Sequence, residues 1–254
     1  MSFPAIEVSG LTKTFDEVTA VNDLNLRVEG GELVGLLGGN GAGKTTTIGM
    51  ILGLVLPDKG TIRVLGHDMA RHRYRALPRM NFSSPYVDLP RRLTVAQNLG
   101  VYARLYGLRD VKARINRFSR ELDMEEFIDR PVGTLSAGQK TRVAIAKSLI
   151  NDPDLLLLDE PTASLDPDTA DWVRSYLESY QARTGAAILL ASHNMAEVER
   201  LCSNVLMMRE GKLVDEGHPA ELISRYGRTN MEEVFLDVAR GRGWDAEAVR
   251  ESGS

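Results

Sequence analysis

A chain of 254 residues, 43% hydrophobic and 26% charged, can bury a sizeable core in one large or two small globular units, which sets aside a disordered tail. Lys and Arg number 31 against 35 Asp and Glu, and the net charge of -4 argues against an extended nucleic-acid footprint, so no nucleic-acid partner is expected. A single cysteine, Cys202, rules out an intrachain disulfide and suits a reducing compartment.

The N-terminus, "MSFPAIEVSG", has no charged region leading into an apolar core, so no signal peptide is expected. The stretches "AIEVSGLTKTF" and "LNLRVEGGELVGLLGG" read as several strands divided by Gly and polar turns. A helix is expected from Lys44, because "KTTTIGMILGL" spaces its apolar residues helically and ends before Pro57. The run "IGMILGLVL" is too short, and too broken by glycine, to reach the roughly 20 apolar residues of a spanning helix. "GTIRVLG" follows as a strand, and "RHRYRALPRM" is a basic stretch with Tyr74 interleaved, read as a solvated face in preference to one set against anionic lipid or a partner.

From about Leu93 to Ile150 the pattern turns helical, which suggests a helical subdomain inserted into a sheet domain. "DLLLLDEP" and "AAILLASH" are continuous apolar runs that fit strands of a parallel sheet buried on both faces, with the helix "DPDTADWVRSYLESYQA" crossing between them. "NVLMMREGKLVDEG" reads as a hairpin turning at Glu210 and Gly211. Two short helices, "PAELISRY" and "MEEVFLDVAR", come next, and the polar residues after them are expected to be loosely ordered. Cys202 reads as a small buried side chain, and four scattered histidines give no metal-ligand spacing.

"GGNGAGKT" fits the pattern G-x-x-x-x-G-K-[ST] from Gly38 to Thr45, and it lies between a strand and a helix as that motif requires. Its glycines let backbone N–H groups curl around phosphate oxygens at a helix start, where Lys44 would reach the β and γ phosphates and Thr45 would ligate magnesium. In "LLLLDEP", Asp159 ends a buried parallel strand, where it would hold magnesium through water, and Glu160 beside it could act as general base. His193 follows the next strand and could hydrogen-bond a γ-phosphate oxygen, though a lone histidine there also has the plainer role of a satisfied polar residue. "LSAGQ" is a second glycine-bearing helix start, with Ser136 as N-cap and Gln139 placed for a capping box. In "SLDPDT", Asp166 and Pro167 suit N-cap and N1.

In that order, "GGNGAGKTT", "LSAGQ", "LLLLDEP", "SLD" and "SHNMAEVE" resemble the nucleotide-binding subunit of ATP-binding cassette transporters, from about Ile6 to Ile223. The resemblance implies an α/β fold: a P-loop NTPase core with a mostly parallel sheet, an N-terminal antiparallel β portion and an inserted helical subdomain at about 86–150. It implies a cassette over 1–225 and a short C-terminal extension over 226–254. ATP would lie on Gly38, Asn40, Gly41, Ala42, Gly43, Lys44, Thr45 and Thr46, with Mg2+ as cofactor. Phe15 would stack on adenine, or else serve as a core aromatic.

The same resemblance implies a head-to-tail dimer, either of two copies or with a similar cassette, in which Ser136, Gly138 and Gln139 of one protomer close over ATP held by the other. Asp166 falls in the family's dimer-contact loop. One departure stands out: where the family has a glutamine contacting magnesium and water, this chain has Ser84 or Pro85, while Gln97 comes too late. Ser84 or water would then substitute for the amide. The implied partner is an integral membrane permease docking near the Ser83 to Arg92 loop, with the ATPase cytoplasmic and peripheral on the inner face of the membrane. "RTNMEEVFLDVAR" resembles exporter-type tails. The alternatives are an import ATPase or a soluble cassette ATPase, although the chain has one cassette and no sustained heptads.

Overall fold

The computed structural model describes residues 3–84, 89–163 and 165–241. Strands β1 (Ile6–Phe15) and β2 (Val18–Val28) form an antiparallel hairpin, after which β3 (Leu33–Leu37) leaves for a different sheet. β4 (Lys59–Val64) pairs with β1, and β5 (His67–Asp68) pairs with β4, so the antiparallel portion is a sheet of its own, ordered β2-β1-β4-β5. The second sheet adds β6 (Met80–Ser83), β7 (Leu155–Asp159), β8 (Ala187–Ala191), β9 (Asn204–Arg209) and β10 (Lys212–Gly217), in the order β10-β9-β3-β8-β7-β6. Only β10 runs against its neighbour; β9, β3, β8, β7 and β6 pair in parallel.

Every residue of β3, β7 and β8 is buried, which explains the continuous apolar runs: alternate side chains enter two different cores. Leu156, Leu158, Ile188 and Leu190 pack toward one core, and Leu155, Leu157, Leu189 and Ala191 toward the other. The second core joins the parallel sheet to the antiparallel sheet and to α1 (Lys44–Ile51). The first joins it to the inserted helices α3 (Val95–Leu105), α4 (Val111–Glu121) and α5 (Ala137–Leu149), which follow α2 (Met69–Ala76) in the chain. Each such leucine contributes about 1.5–3 kcal/mol by leaving water.

Helix α6 (Pro167–Thr184) is the crossover between β7 and β8, starting at the Asp166 cap and ending at Gly185 with φ 67°. A short helix, α7 (Met195–Leu201), leads into β9, and α8 (Pro219–Arg225) and α9 (Met231–Ala239) close the described chain. α9 buries Met231 and Val234 in the first core, and Arg209 donates to its Val238 carbonyl at 2.9 Å. Among the described residues no helix is long and apolar enough to cross a membrane. The stretch after Gly241, expected to be loosely ordered, lies outside the described residues, as do Pro85 and Ser164.

The elements not expected include α2 and β6. The basic stretch forms α2, interrupted at His72 with φ -133°, and then a single 3-10 turn; Tyr74 is exposed, as a solvated face requires. β6 escapes a hydrophobicity reading because buried Asn81 sits within it, donating to Asn151 at 2.7 Å from a partner 70 positions away. Gln97 has a structural role, exchanging hydrogen bonds with Thr94 in the capping box of α3.

Cys202 is buried behind β3, where a Cβ at Gly35 would come within 3.1 Å of its Sγ. Burial pushes its thiol far above the ordinary range, with Glu197 adding to the shift. The folded protein should therefore resist maleimide labelling and take up one equivalent only in denaturant. Rapid labelling of the native protein would contradict this packing.

Candidate nucleotide site

The parallel register gathers four strand ends at one edge. Ala191 lies opposite Asp159 on one side and Leu36 on the other, and Ser83 lies opposite Leu158. Hence the loop after β3, Glu160 after β7, His193 after β8 and Ser84 after β6 all begin at the carboxyl edge, where open α/β sheets bind ligands.

The loop from Gly38 to Gly43 is shaped by what cannot fit there. A Cβ on Gly38 would meet the Met208 carbonyl at 2.5 Å, and one on Gly43, with φ 101°, would meet the Ala20 carbonyl at 2.5 Å. Gly43 is the N-cap of α1 and supplies no side chain to its first turn, which also lacks an acidic residue. The amides of that turn therefore face outward without a side-chain acceptor, as an anion-binding helix start requires. Thr45 and Thr46 belong to this turn, with Thr45 exposed; Asn40 and Gly41 are exposed in the loop, and Ala42 is buried beneath it.

Lys44 folds back across the loop, its Nζ donating to Gly38 O at 2.5 Å and Gly39 O at 3.3 Å. Burial pulls its pKa below the usual lysine range, opposed by the nearby charges of Glu160 and Asp159. Asp159 is pushed the other way: burial and the Glu160 charge raise it, while Lys44 and a hydrogen bond from the Ser84 hydroxyl lower it. Ser84 thus reaches the carboxylate beside which the family's glutamine was expected. Among the described residues no three His, Cys, Asp or Glu side chains come together as a metal cage. Thr45, Asp159 and Ser84 suit an ion such as magnesium, which completes its shell with water and phosphate.

Glu160 adopts φ 51°, a left-handed conformation that costs a non-glycine residue about 1–3 kcal/mol. It is held there by its N–H, which donates to Ala191 O at 2.8 Å, and by its carbonyl, which accepts from Ala163 N at 3.1 Å. The carboxylate meets His193, with Oε1 2.6 Å from Nδ1 and Oε2 3.4 Å from the backbone nitrogen. His193 is paired with Glu160 yet keeps a side chain that is 70% exposed.

Ser136 Oγ accepts from Gln139 N at 3.2 Å, and Gln139 Oε1 accepts from Ser136 N at 3.1 Å, so both halves of the capping box form. Gly138 lies against Thr169, whose Oγ1 would sit 3.2 Å from an added Cβ, and Thr169 is held by Asp166 through its N–H at 3.0 Å and its hydroxyl at 2.7 Å. These hydrogen bonds lower the Asp166 pKa. The "LSAGQ" turn therefore sits beside the start of α6. Phe15 is 47% exposed at the end of β1, with Lys13 Nζ 5.2 Å from its ring centre, which corrects the core-aromatic alternative.

Glu197, which the sequence did not single out, is buried behind His193 and accepts from Ser192 Oγ at 2.7 Å. Its spacing of four from buried Leu201 places both on one face of α7.

A family model described as "ABC transporter" matches residues 21–163. "Nod factor export ATP-binding protein I" of Ralstonia nicotianae is 38% identical over 251 residues, 98% of this chain and 76% of the relative. The protein of that name in Burkholderia pseudomallei is 40% identical over 253 residues, 99% of this chain and 81% of the relative. Among solved structures, "ATP binding subunit of ABC transporter" superposes with a TM-score of 0.83 at 27% identity, covering 92% of this chain and 99% of that one. The cbiO1 protein of Clostridium perfringens, part of the ABC transporter complex cbiONQ, gives 0.78 at 29% identity, covering 94% and 97%.

Proposed function

The chain belongs to the ABC transporter family as an ATP-binding ATPase subunit, and from that premise we propose that two copies close over two ATP molecules to drive a separate membrane permease. ATP lies on Gly38, Asn40, Gly41, Ala42, Gly43, Lys44, Thr45 and Thr46, with Phe15 stacked on adenine. Thr45, Asp159 through water, and Ser84 hold magnesium, which when bound neutralises phosphate charge. Glu160 accepts the proton of the attacking water, and His193 holds a γ-phosphate oxygen. Ser136, Gly138 and Gln139 of the partner complete the pocket, and Asp166 lies at the dimer contact.

The observation that carries this reading is the meeting of Lys44, Ser84, Asp159, Glu160 and His193 at one sheet edge, while a second glycine-bearing helix start, capped by Ser136 and Gln139, lies beside α6. Pairing with another copy would bring that second helix start to a phosphate held by the partner. The export named in its relatives supports an exporter working on the cytoplasmic face of the membrane. Pull-down of the tagged protein from detergent-solubilised membranes should recover a polytopic permease. Recovery with ribosomes from the soluble fraction alone would overturn the transport reading.

A further inference from the structure

His193 sits on a turn whose shape is fixed from behind by one carboxylate. Glu197 has 0% exposure and Ser192 1%, and the Ser192 hydroxyl donates to Glu197 Oε2 at 2.7 Å. The same hydroxyl accepts from Asn194 N at 3.1 Å, while Asn194 Oδ1 accepts from Glu197 N at 3.3 Å. Residues 192, 194 and 197 thereby close a ring around the backbone of His193 and leave its imidazole pointing outward.

Glu197 also reaches the other wall of the site. Its carboxylate interacts with the hydroxyl of Thr162, a buried residue two positions beyond Glu160, and with the charge of Arg174 in α6. Burial pushes the Glu197 carboxyl upward, against the pull of Ser192, Thr162 and Arg174. An ionisable group so fully withdrawn from water is costly, and an apolar residue would pack α7 without that cost.

We infer that Glu197 is a positioning residue for ATP hydrolysis: by holding the Ser192 hydroxyl, which in turn holds Asn194 N, it fixes the turn that sets the His193 imidazole against the Glu160 carboxylate. This rests on the reading that Glu160 and His193 act on ATP. Glu160 and the turn are already linked at the backbone, through Glu160 N and Ala191 O at 2.8 Å. Glu197 adds the side-chain link that sets the 2.6 Å approach of His193 Nδ1 to Glu160.

The test measures steady-state ATPase activity, and the affinity for a fluorescent ATP analogue, in the full-length protein. Glu197→Ala and Ser192→Ala should each lower kcat about 10- to 100-fold, as small misplacements of catalytic groups do, with nucleotide affinity held within about twofold. Glu197→Gln keeps an acceptor for the Ser192 hydroxyl and should recover most of the rate. In a His193→Ala background, Glu197→Ala should cost nothing further, because the group it positions is gone. Full activity in both single variants, equal losses of affinity and kcat, or an undiminished extra loss in the His193→Ala background would overturn the assignment. A wild-type protein that fails to hydrolyse ATP would instead sink the reading beneath it.

Discussion

Glu160→Gln should bind ATP as the wild type does and hydrolyse it about 10²- to 10⁴-fold more slowly, the range for removing a general base. Glutamine can occupy the same volume and still hydrogen-bond His193, but it cannot take a proton from water. The position is specialised in its backbone as well as its side chain. A φ of 51° aims the carboxylate at His193 from the end of a fully buried strand, and the neighbouring amide and carbonyl contacts hold that conformation in place. Phosphate release measured beside nucleotide binding separates the two effects. Turnover near the wild-type rate would remove Glu160 from the base role.

Lys44→Ala should weaken ATP binding about 10- to 100-fold, the value of losing charge-assisted hydrogen bonds to phosphate. In the unliganded protein the ammonium donates only to the Gly38 and Gly39 carbonyls, and burial works against its charge. Thermal unfolding of the unliganded variant should accordingly stay near that of the wild type. Titration with a fluorescent ATP analogue checks the first part and a melting curve the second. Unchanged affinity would contradict a phosphate-binding role for the loop.

The loop at Gly38–Lys44, the strand ending in Asp159 and the Ser136 capping box were legible because each depends on residues adjacent in sequence. Glycines are required where carbonyls approach within 2.5 Å of a would-be Cβ, a run of apolar residues such as the four leucines before Asp159 is required where both faces of a strand are buried, and a Ser–Gln pair three apart caps a helix by itself. What escaped depends on distant partners. Asn81 is tolerable in a buried strand only because Asn151 faces it, and Glu197 looks like any surface glutamate of a short helix until Ser192 and Thr162 are seen around it. The likeness of Ser84 to a missing glutamine was open in the sequence; its hydroxyl on Asp159 became visible only when β6 was placed beside β7.

The pairing of two incomplete sites is tested most directly by light scattering on the Glu160→Gln protein, with and without ATP, alongside the Glu160→Gln/Gly138→Asp double variant. Gly138→Asp leaves the Ser136–Gln139 capping box in place and asks only a small shift of Thr169, but it sets a carboxylate at the helix start that, in the proposed pair, would face the partner's phosphates. The expected result is the mass of one protomer without ATP, of two with ATP, and of one again in the double variant, whose own nucleotide affinity is preserved. A protein that stays single when saturated with ATP, or a pair indifferent to the new carboxylate, would contradict the account.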